Sequence, residues 1–333
     1  MPGPYIASKS KQRGPPMRTI TALFVGLGSI GTRHLKNLTN LCADRGWTLQ
    51  ADALRSDLSR PLRDGVAALL HAQYTDLADA PARYDMVFIT NPTSLHADAL
   101  QKIRGRGGAL FIEKPIFSAE QTGLNLADYL PAGQKAYVAA PMRWCGVMLA
   151  LKDRLPGLHP YCARVICSSY LPDWRPGVDY RTVYSAHKAM GGGVTIDLIH
   201  EWDYLVELFG VPEQLYNFKG TYSDLEIDSD DISVYIARYP TLLAEVHLDY
   251  FGRGYRRSIE LFCHDGSYLA DFGAGTLTLP DGTVQHYEED VNRRYEREME
   301  YFVDYALTGS GESCNPPALA LNVLKLTLGE NVQ

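Results

Sequence analysis

The sequence predicts an α/β protein in two parts, a parallel sheet flanked by helices and then an α/β part with an open, mostly antiparallel sheet. Up to about residue 140, short apolar runs alternate with helical segments, as in doubly wound sheets. A glycine-rich turn joins the first apolar run to the first helix. Beyond that part, strand patterns dominate, at 163–169, 214–219, 231–237, 242–249, 256–263 and 266–269.

The chain of 333 residues is long enough for two domains, which we expect at 19–140 and 141–333. Residues 1–18 are rich in Pro, Gly, Ser and Lys and lack the apolar core of a signal peptide, so they are predicted to be a disordered tail. Helical patterns and one further strand complete the prediction: helices at 66–71, after 74–76, and at 95–104, 119–129, 146–155, 291–308 and 317–328, and a strand at 135–139.

The composition is that of a globular protein, with 46% hydrophobic and 21% charged residues. The formal charge is −7, and acidic and basic residues are interspersed, which argues against nucleic acid as a partner. The sequence contains neither a polybasic anchor nor an apolar run long enough to span a membrane. Its six cysteines form no CxxC pair and no metal-ligand spacing, so we expect a reduced, cytoplasmic protein without a metal.

The first strand ends in Gly26-x-Gly28-x-x-Gly31, and a helix follows at once. This is the context that a dinucleotide fingerprint requires: Gly26 permits the tight turn, Gly28 admits a pyrophosphate, and Gly31 lets the helix pack closely on the strand. Free N–H groups at the helix start, near Ser29 and Ile30, would face the phosphates. The alternative is a glycine-rich turn without a ligand.

The second strand, 48–54, predicts which dinucleotide binds. In a Rossmann fold the residue just beyond this strand meets the adenosine ribose; an acidic residue there favours NAD and a basic one favours NADP. Here the strand runs into Arg55 and Ser56, whereas Asp52 lies inside it. We therefore expect NADP rather than NAD. The alternative is that Arg55 is an ordinary solvated cation.

The third strand of this pattern ends in a turn that opens a helix. Asn91 and Pro92 form the turn, and His96 lies near the start of the helix. In an open α/β sheet this turn is at the carboxyl edge, where ligands bind, so we expect these residues to contact the cofactor. The alternatives are a capping or turn role for Asn91 and a surface position for His96.

The fourth strand ends in Glu113-Lys114-Pro115. A charged pair at the end of a buried parallel strand points into the same crevice. We expect Lys114 to reach a substrate oxygen close to a nicotinamide, with Glu113 beside the cofactor. The alternative is a surface salt bridge at the strand end.

A polar and aromatic segment, 173–188, follows in the second part. Long loops of this kind are usually functional or disordered. Arginine can form paired hydrogen bonds to a carboxylate or phosphate, and aromatic faces stack on sugar rings. The alternative is a surface loop pinned by its aromatics. The substrate contacts predicted here are Trp174, Arg175, Tyr180, Arg181, Tyr184 and Lys188.

Three glycines, 191–193, open a helix that carries Asp197, His200 and Asp203 at intervals of three residues. This spacing predicts that all three share one helical face. An imidazole beside a carboxylate is a natural general acid/base pair, because the carboxylate raises its pKa and orients the ring. The alternative is that His200 is a satisfied core residue.

Together these segments resemble the Gfo/Idh/MocA family of NAD(P)-dependent oxidoreductases, which includes glucose–fructose oxidoreductase and inositol dehydrogenase. The resemblance covers nearly the whole chain from about residue 19. The segments that carry it are GLGSIGTRH (26–34), TNPTSLHADAL (90–100), EKP (113–115), the arginine of PMRW (141–144) and GGGVTIDLIHEWDYL (191–205).

The resemblance implies a Rossmann domain, a second domain with an open sheet, and a nicotinamide in the cleft between them. Lys114 would hold the substrate hydroxyl and assist proton transfer, and the peptide bond after it is often cis in the family. His200 would be the general acid/base, Asp197 would bind substrate, and Arg143 would join the substrate site. Many members space the aspartate and histidine by four residues and this chain by three, which leaves the division of roles between Asp197 and Asp203 open.

The expected reaction moves a hydride between nicotinamide C4 and a carbinol or carbonyl carbon of a sugar, sugar acid, polyol or nucleotide sugar. Two alternatives stay open: a dinucleotide-binding regulator or sensor without turnover, and an enzyme that uses a retained cofactor in an internal redox cycle. Family members often form dimers or tetramers on the face of the second sheet, so we expect a homodimer or homotetramer built there.

Overall fold

The computed structural model describes residues 18–332. The disordered tail predicted for 1–18 therefore lies, apart from its last residue, outside the described residues. Within 18–332, two sheets confirm the predicted α/β class, one parallel throughout and one mostly antiparallel. No helix in this range is both long and apolar enough to cross a bilayer.

The first sheet has six parallel strands in the order β3-β2-β1-β4-β5-β6. The strands are β1 (Thr19–Val25), β2 (Thr48–Leu54), β3 (Ala72–Tyr74), β4 (Tyr84–Ile89), β5 (Gly107–Ile112) and β6 (Lys135–Val138). Most of their residues are buried, as expected for strands covered on both faces. In the register, Val25 pairs with Leu54 and Ile89, and Ile89 pairs with Ile112. All the predicted cofactor turns therefore leave one edge of the sheet.

Two helices follow strands of this sheet, α1 (Ser29–Asp44) and α2 (His96–Lys102). The other predicted helices of the first part are wrong. Segment 66–71 forms only a single 3-10 turn before strand β3, which the sequence did not indicate, and 76–83 contains no helix. Segment 119–129 forms two short 3-10 turns, because Gly123 lies between them and glycine disfavours a continuous helix.

The second sheet has eight strands in the order β14-β13-β12-β11-β7-β10-β9-β8. Neighbouring strands are antiparallel except for the β7–β10 pair. The strands are β7 (Cys162–Tyr170), β8 (Gln214–Gly220), β9 (Ile232–Arg238), β10 (Leu243–Asp249), β11 (Phe251–Cys263), β12 (Gly266–Asp271), β13 (Thr276–Thr278) and β14 (Val284–His286). The sequence indicated all but the last two, which are only three residues long.

The second part also contributes the remaining helices of residues 18–332. They are α3 (Gly146–Arg154), α4 (Val194–Asp197), α5 (His200–Phe209), α6 (Asn292–Thr308) and α7 (Pro317–Thr327). One large apolar core joins α5 and α7 to the inner face of the second sheet and also to the first sheet. The fully buried Trp202 of α5, for example, meets Tyr235 of β9 edge-on at 5.2 Å.

Helix α6 returns from the second part to cover the first sheet. Its Phe302 packs edge-on against Phe88 and Phe111, with ring centroids 5.4 and 5.1 Å apart. The predicted boundary near residue 140 stays a prediction, but the first sheet depends on a helix from far beyond it. This return also places the start of α6 beside the carboxyl edge of the sheet.

Candidate active site

The three glycines of the turn differ in what surrounds them. Gly26 has φ +89°, and a Cβ there would meet the backbone of Asn91 at 2.9 Å. A Cβ on Gly31 would lie 2.6 Å from the carbonyl oxygen of Gly26 and 2.7 Å from Oγ1 of Thr90. Gly28, by contrast, faces open space, with no atom within 4 Å. The turn therefore has the shape that a pyrophosphate needs: tight behind and open in front.

Helix α1 begins directly at this opening. Its N-cap is Gly28, which provides no side-chain cap for the N–H groups of the first turn. Nη2 of Arg63 donates a hydrogen bond to Oγ of Ser29 at 2.8 Å, which brings a positive charge to the same end. Uncapped N–H groups and a cation suit an anionic ligand, so these residues fit a dinucleotide pyrophosphate. The sequence did not single out Arg63, because it is only one of several basic residues in the loop after β2.

Arg55 lies where the sequence predicted, immediately after β2 and beside the glycine turn. The N–H of Gly26 donates to the carbonyl of Leu54, which fixes this proximity. The half-buried Arg55 donates from Nη1 to Oε1 of Gln73 at 2.8 Å and also to the carbonyl of Arg60. Arg55 is thus a positioned cation rather than an ordinary solvated one. Ser56, next to it, is exposed.

Asp52 is excluded as a ribose ligand. It is only 2% exposed, and its carboxylate accepts a hydrogen bond from Tyr84 at 2.8 Å. The other oxygen lies 3.1 Å from Nδ1 of His71. The strand therefore ends where the sequence indicated, and no carboxylate of β2 faces the ribose position.

The turn after β4 contains one residue that suits a cofactor contact. Oδ1 of Asn91 is buried and has no hydrogen-bond partner among residues 18–332, which is a costly arrangement unless a ligand supplies a donor. Pro92 beside it is exposed.

The position of His96 contradicts both predictions made for it, a cofactor contact and a surface position. Its side chain is buried, and its ring nitrogens lie 3.1 Å from the carbonyl oxygens of Ile116 and Asn91. Burial lowers its pKa. The ring therefore joins two turns of the site from behind; it is neither a surface residue nor exposed to a cofactor.

Glu113 and Lys114 follow β5, and the Lys114–Pro115 peptide bond is cis, as the resemblance implied. Oε1 of the buried Glu113 lies 2.5 Å from Nε2 of His34 on α1, and Oε2 accepts a hydrogen bond from the N–H of Lys114. Burial alone would raise the pKa of Glu113, but the hydrogen bond from His34 and the charges of His34 and Lys114 hold it below its usual value. The pair is therefore not a surface salt bridge. His34, which the sequence did not single out, ties the helix of the glycine turn to the lysine.

Lys114 and His200 line one small cavity between the two sheets, together with Asp203 and Asn315. Among residues 18–332, Nζ of Lys114 has no hydrogen-bond acceptor and the ring of His200 has no hydrogen-bond partner. Two groups able to move a proton therefore meet at the carboxyl edge of the first sheet with their polar atoms uncommitted.

The charge state of His200 differs from the expected one. Burial lowers its pKa well below the ordinary value, and the positive charges of Lys114, Arg257 and Arg294 lower it further. The predicted carboxylate partner does not contact it. His200 is thus a neutral imidazole, ready to accept a proton rather than to donate one.

Asp197 lies in a separate group of hydroxyls. It accepts hydrogen bonds from Tyr184 at 2.7 Å, Ser185 at 2.6 Å and Tyr250 at 2.5 Å. The expected continuous helix is wrong, because α4 ends at Asp197 and α5 begins at His200. This break explains why a spacing of three residues does not bring the two side chains together. It is Asp203, on the same helix as His200, that shares the cavity.

Arg143 supports the site from behind. It is buried, and it donates to both carboxylate oxygens of Asp203, at 2.9 and 2.7 Å. Its remaining N–H groups reach Glu207, the carbonyl of Cys314 and the side chain of Asn315. All five donors of a guanidinium are thereby used. The expectation that Arg143 contacts substrate is corrected: this residue holds α5 against the first sheet.

Part of the predicted substrate loop gathers around Asp197. Trp174 donates to Oγ of Ser169 at 3.0 Å and meets Tyr250 edge-on at 5.2 Å. The guanidinium of Arg175 lies 5.8 Å from the centre of the Tyr184 ring. Trp174 and Tyr184 remain more than a third exposed. Their arrangement suits stacking on a sugar ring.

The rest of the loop is less available to a substrate. Arg181 pairs with Asp179 and Glu226, so two carboxylates already balance its charge. The hydroxyl of Tyr180 accepts a hydrogen bond from the N–H of Glu226. Lys188 is exposed. Whether Tyr180, Arg181 and Lys188 bind substrate stays a prediction.

One known protein family matches the first part of the chain. A family profile described as "GFO_IDH_MocA: Oxidoreductase family, NAD-binding Rossmann fold" matches residues 20–137. The match covers about a third of the chain, from β1 to β6. Over those residues, the match supports the resemblance drawn from the glycine turn and from Glu113-Lys114-Pro115, and it indicates a dinucleotide-binding Rossmann fold. Among curated proteins, none matches the sequence.

Solved structures share the fold over nearly the whole chain. UDP-N-acetylglucosamine 3-dehydrogenase GnnA from Acidithiobacillus ferrooxidans is 17% identical with a TM-score of 0.71, covering 95% of this chain and 97% of its own. Levoglucosan dehydrogenase in complex with NADH and levoglucosan is 15% identical with a TM-score of 0.78, covering 94% and 96%. A putative NADPH-dependent oxidoreductase from Desulfitobacterium hafniense is 16% identical with a TM-score of 0.77, covering 94% of each.

The buried hydrogen bonds of Arg143 predict a large contribution of this residue to the free energy of unfolding. In Arg143→Met, the buried carboxylate of Asp203 loses its cation, so we expect the free energy of unfolding to fall by about 3–5 kcal/mol. Urea denaturation measures it. Arg181→Met is the matched control, since its exposed ion pairs are worth less than about 1 kcal/mol. Equal losses in the two variants would show that the Arg143 network does not hold the site together.

The glycine turn generates a second prediction. We expect Gly28→Ala to leave the free energy of unfolding within about 0.5 kcal/mol of wild type, because its Cβ enters open space. Its affinity for the dinucleotide should fall about ten-fold, because that space is where a phosphate would approach. Gly31→Ala should instead lower the free energy of unfolding by about 1–3 kcal/mol, since its Cβ overlaps two atoms. Calorimetry and denaturation check both; unchanged affinity in Gly28→Ala would place the phosphates elsewhere.

Proposed function

We propose that the protein is an NAD(P)-dependent dehydrogenase or reductase that acts on a CH–OH group of a sugar-type substrate. The observation that carries this proposal is the shared cavity of Lys114 and His200 at the sheet edge where the glycine turn opens. The cofactor, when bound, supplies the hydride acceptor or donor at nicotinamide C4.

The residues of the chain have distinct roles in this proposal. His200, neutral because its pKa is low, takes the proton of the substrate hydroxyl as the alcohol is oxidised. Lys114 donates a hydrogen bond to the same oxygen and stabilises the negative charge that develops on it. Glu113, held by His34, fixes the backbone at Lys114. Asp203, fixed by Arg143, faces the cavity, while Asp197 organises the hydroxyls of the substrate wall.

The substrate type is supported by the aromatic wall and by the structural neighbours. Trp174 and Tyr184 present partly exposed rings around Asp197, as sugar-binding sites commonly do. The neighbours include a nucleotide-sugar dehydrogenase and a dehydrogenase bound to levoglucosan. Lys114 and His200 are both intact, which favours turnover over a regulator or sensor.

Removal of the two proton-handling groups tests the function. Lys114→Ala and His200→Ala should each lower kcat about 10²–10⁴-fold while dinucleotide affinity persists, because general acid–base groups contribute on this scale. Formation of reduced nicotinamide with a panel of sugars, sugar acids and nucleotide sugars measures turnover, and calorimetry measures affinity. Wild-type turnover in either variant would refute the assigned role.

The same experiment has a pH signature. In the oxidative direction, kcat/KM of the wild type should decline only below pH 6.5, because the pKa of His200 is lowered from that value. The His200→Ala variant should lack this acidic limb. A wild-type limb above pH 6.5 that survives in the variant would assign the titration to another group.

We infer that NADP is the preferred cofactor. Arg55 is held beside the glycine turn, Arg63 lies at the start of α1, and Asp52 is buried away from the ribose position. Arginine binds phosphate through paired hydrogen bonds, which suits the 2′-phosphate. The neighbours do not decide the matter, since one is bound to NADH and another is described as NADPH-dependent.

Charge reversal at Arg55 tests this preference. Arg55→Asp should change the ratio of NADP⁺ to NAD⁺ affinity toward NAD⁺ by at least about ten-fold, through loss of a charged phosphate contact. Arg60→Asp, on an exposed side chain of the same loop, is the control and should change the ratio little. Titration calorimetry gives both affinities. If only the control changed the ratio, the 2′-phosphate would be bound further along the loop.

We also propose that the outer face of the second sheet joins copies of the chain. Tyr216 is opposite Ile236, and Phe218 is opposite Val234, so the four side chains share one face. Phe218 is 76% exposed. An apolar face of this kind needs a cover, and a second copy supplies one by symmetry.

Sedimentation velocity tests the interface. The wild type should sediment as a dimer or tetramer, and Phe218→Glu should shift it toward the monomer by burying a charge at the contact. Leu58→Glu, an exposed apolar residue in the loop after β2, should leave the assembly intact. A monomeric wild type at micromolar concentration would contradict the proposal.

A further inference from the structure

Arg294, in the first turn of α6, carries a positive charge for which residues 18–332 supply no carboxylate partner. Its Nη1 lies 2.8 Å from Sδ of Met142, a weak acceptor. Its Nε is buried and has no hydrogen-bond partner. Within residues 18–332, no carboxylate lies within ion-pair distance of this guanidinium. The side chain is half-buried, and a partly desolvated cation without a partner favours the binding of an anion.

The neighbouring arginines show the contrast. Arg257 forms two hydrogen bonds to Glu201, at 2.6 and 3.1 Å. Arg297, one helical turn after Arg294, pairs with Glu289 at 2.7 Å. Each of these cations has a carboxylate from the chain itself. Arg294 differs from both in having no carboxylate partner among residues 18–332.

The carboxyl group one helical turn further along α6 does not supply the missing charge. Glu298, four residues on, accepts hydrogen bonds at Oε1 from the hydroxyl of Tyr137 and the N–H of Ala140. Its Oε2 is buried without a partner. Burial, with the charge of Glu113 as the next cause, raises the pKa of Glu298 to about 8, so the group is mostly neutral at pH 7.

Arg294 is close enough to the reacting groups to serve the substrate. Its positive charge acts to lower the pKa of His200 and also that of Cys145. Its contact residue Met142 belongs to the turn Pro141–Trp144, which packs against α5 and α6. Arg294 therefore lies between the start of α6 and the turn Pro141–Trp144, close enough to His200 for its charge to affect that residue.

We propose that Arg294 binds an anionic group of the substrate, so that the substrate is a sugar bearing a carboxylate or a phosphate. The proposal rests on the hydride-transfer function proposed above and names its substrate class. A planar guanidinium with uncommitted N–H groups forms paired hydrogen bonds to either anion. Such a contact fixes the sugar relative to His200 and excludes neutral sugars of the same size, which would leave the arginine unpaired.

Calorimetric titration of the cofactor-saturated protein tests this inference without requiring turnover. The probes are D-glucose, D-glucuronate and D-glucose 6-phosphate, which differ only at the sixth carbon. We expect one of the two anions to bind about ten-fold to a hundred-fold tighter than glucose, as hydrogen bonds between charged groups allow. The better anion distinguishes a sugar acid from a sugar phosphate.

Three variants assign the preference to the residue. Arg294→Gln should abolish the difference between anion and glucose, and Arg294→Lys should restore part of it. Arg297→Gln, on the same helix but paired with Glu289, should keep it. Dinucleotide affinity should stay at the wild-type value in all three. The inference is overturned if glucose binds as tightly as both anions, if Arg294→Gln keeps the preference, or if Arg294→Gln mainly weakens the dinucleotide.

The readouts also separate this inference from the proposed function. Selective anion binding that depends on Arg294, without formation of reduced nicotinamide from any sugar in the panel, would refute the dehydrogenase function and leave the anion site standing. Turnover of neutral sugars alone would support the dehydrogenase function and overturn the anion site.

Discussion

The candidate site depends on the buried pairing of Arg143 with Asp203. Arg143 belongs to the turn that follows the first sheet, whereas Asp203 belongs to the helix that carries His200. Arg143 also donates hydrogen bonds to Glu207 and Asn315. Together these bonds fix that helix against the carboxyl edge of the first sheet. A proton acceptor must be held to within a fraction of an ångström to work. The charged pair provides that precision.

A second buried pair positions the other half of the site. His34 and Glu113 join the helix of the glycine turn to the end of β5, from which Lys114 extends. Both pairs are buried polar groups whose cost is offset only when their partners are in place. The helix that follows the glycine turn is therefore linked to Lys114 through the side chains of His34 and Glu113. Arg294 differs from these residues, since the chain gives it no such partner.

Several of the predicted site residues lie at one edge of the first sheet, because they belong to turns whose chemistry is local. The glycine turn, Arg55 and the Glu113–Lys114 pair all follow strands of a parallel sheet, and such ends converge wherever the sheet forms. Residues whose role depends on distant partners were misjudged. Arg143 and His96 look like ligand-binding groups in the sequence, but the fold surrounds both with acceptors from the chain.

The sequence by itself determined the fold class, the match of residues 20–137 to one family profile and the strand ends that meet at one edge of the first sheet, because periodicity and glycine placement encode them locally. Only the tertiary structure decided the charge state of His200, since burial and three cations from distant segments set its pKa. It also decided that a break separates His200 from Asp197, and that α6 returns to bring Arg294 against Met142. Those facts depend on packing between segments far apart in the chain.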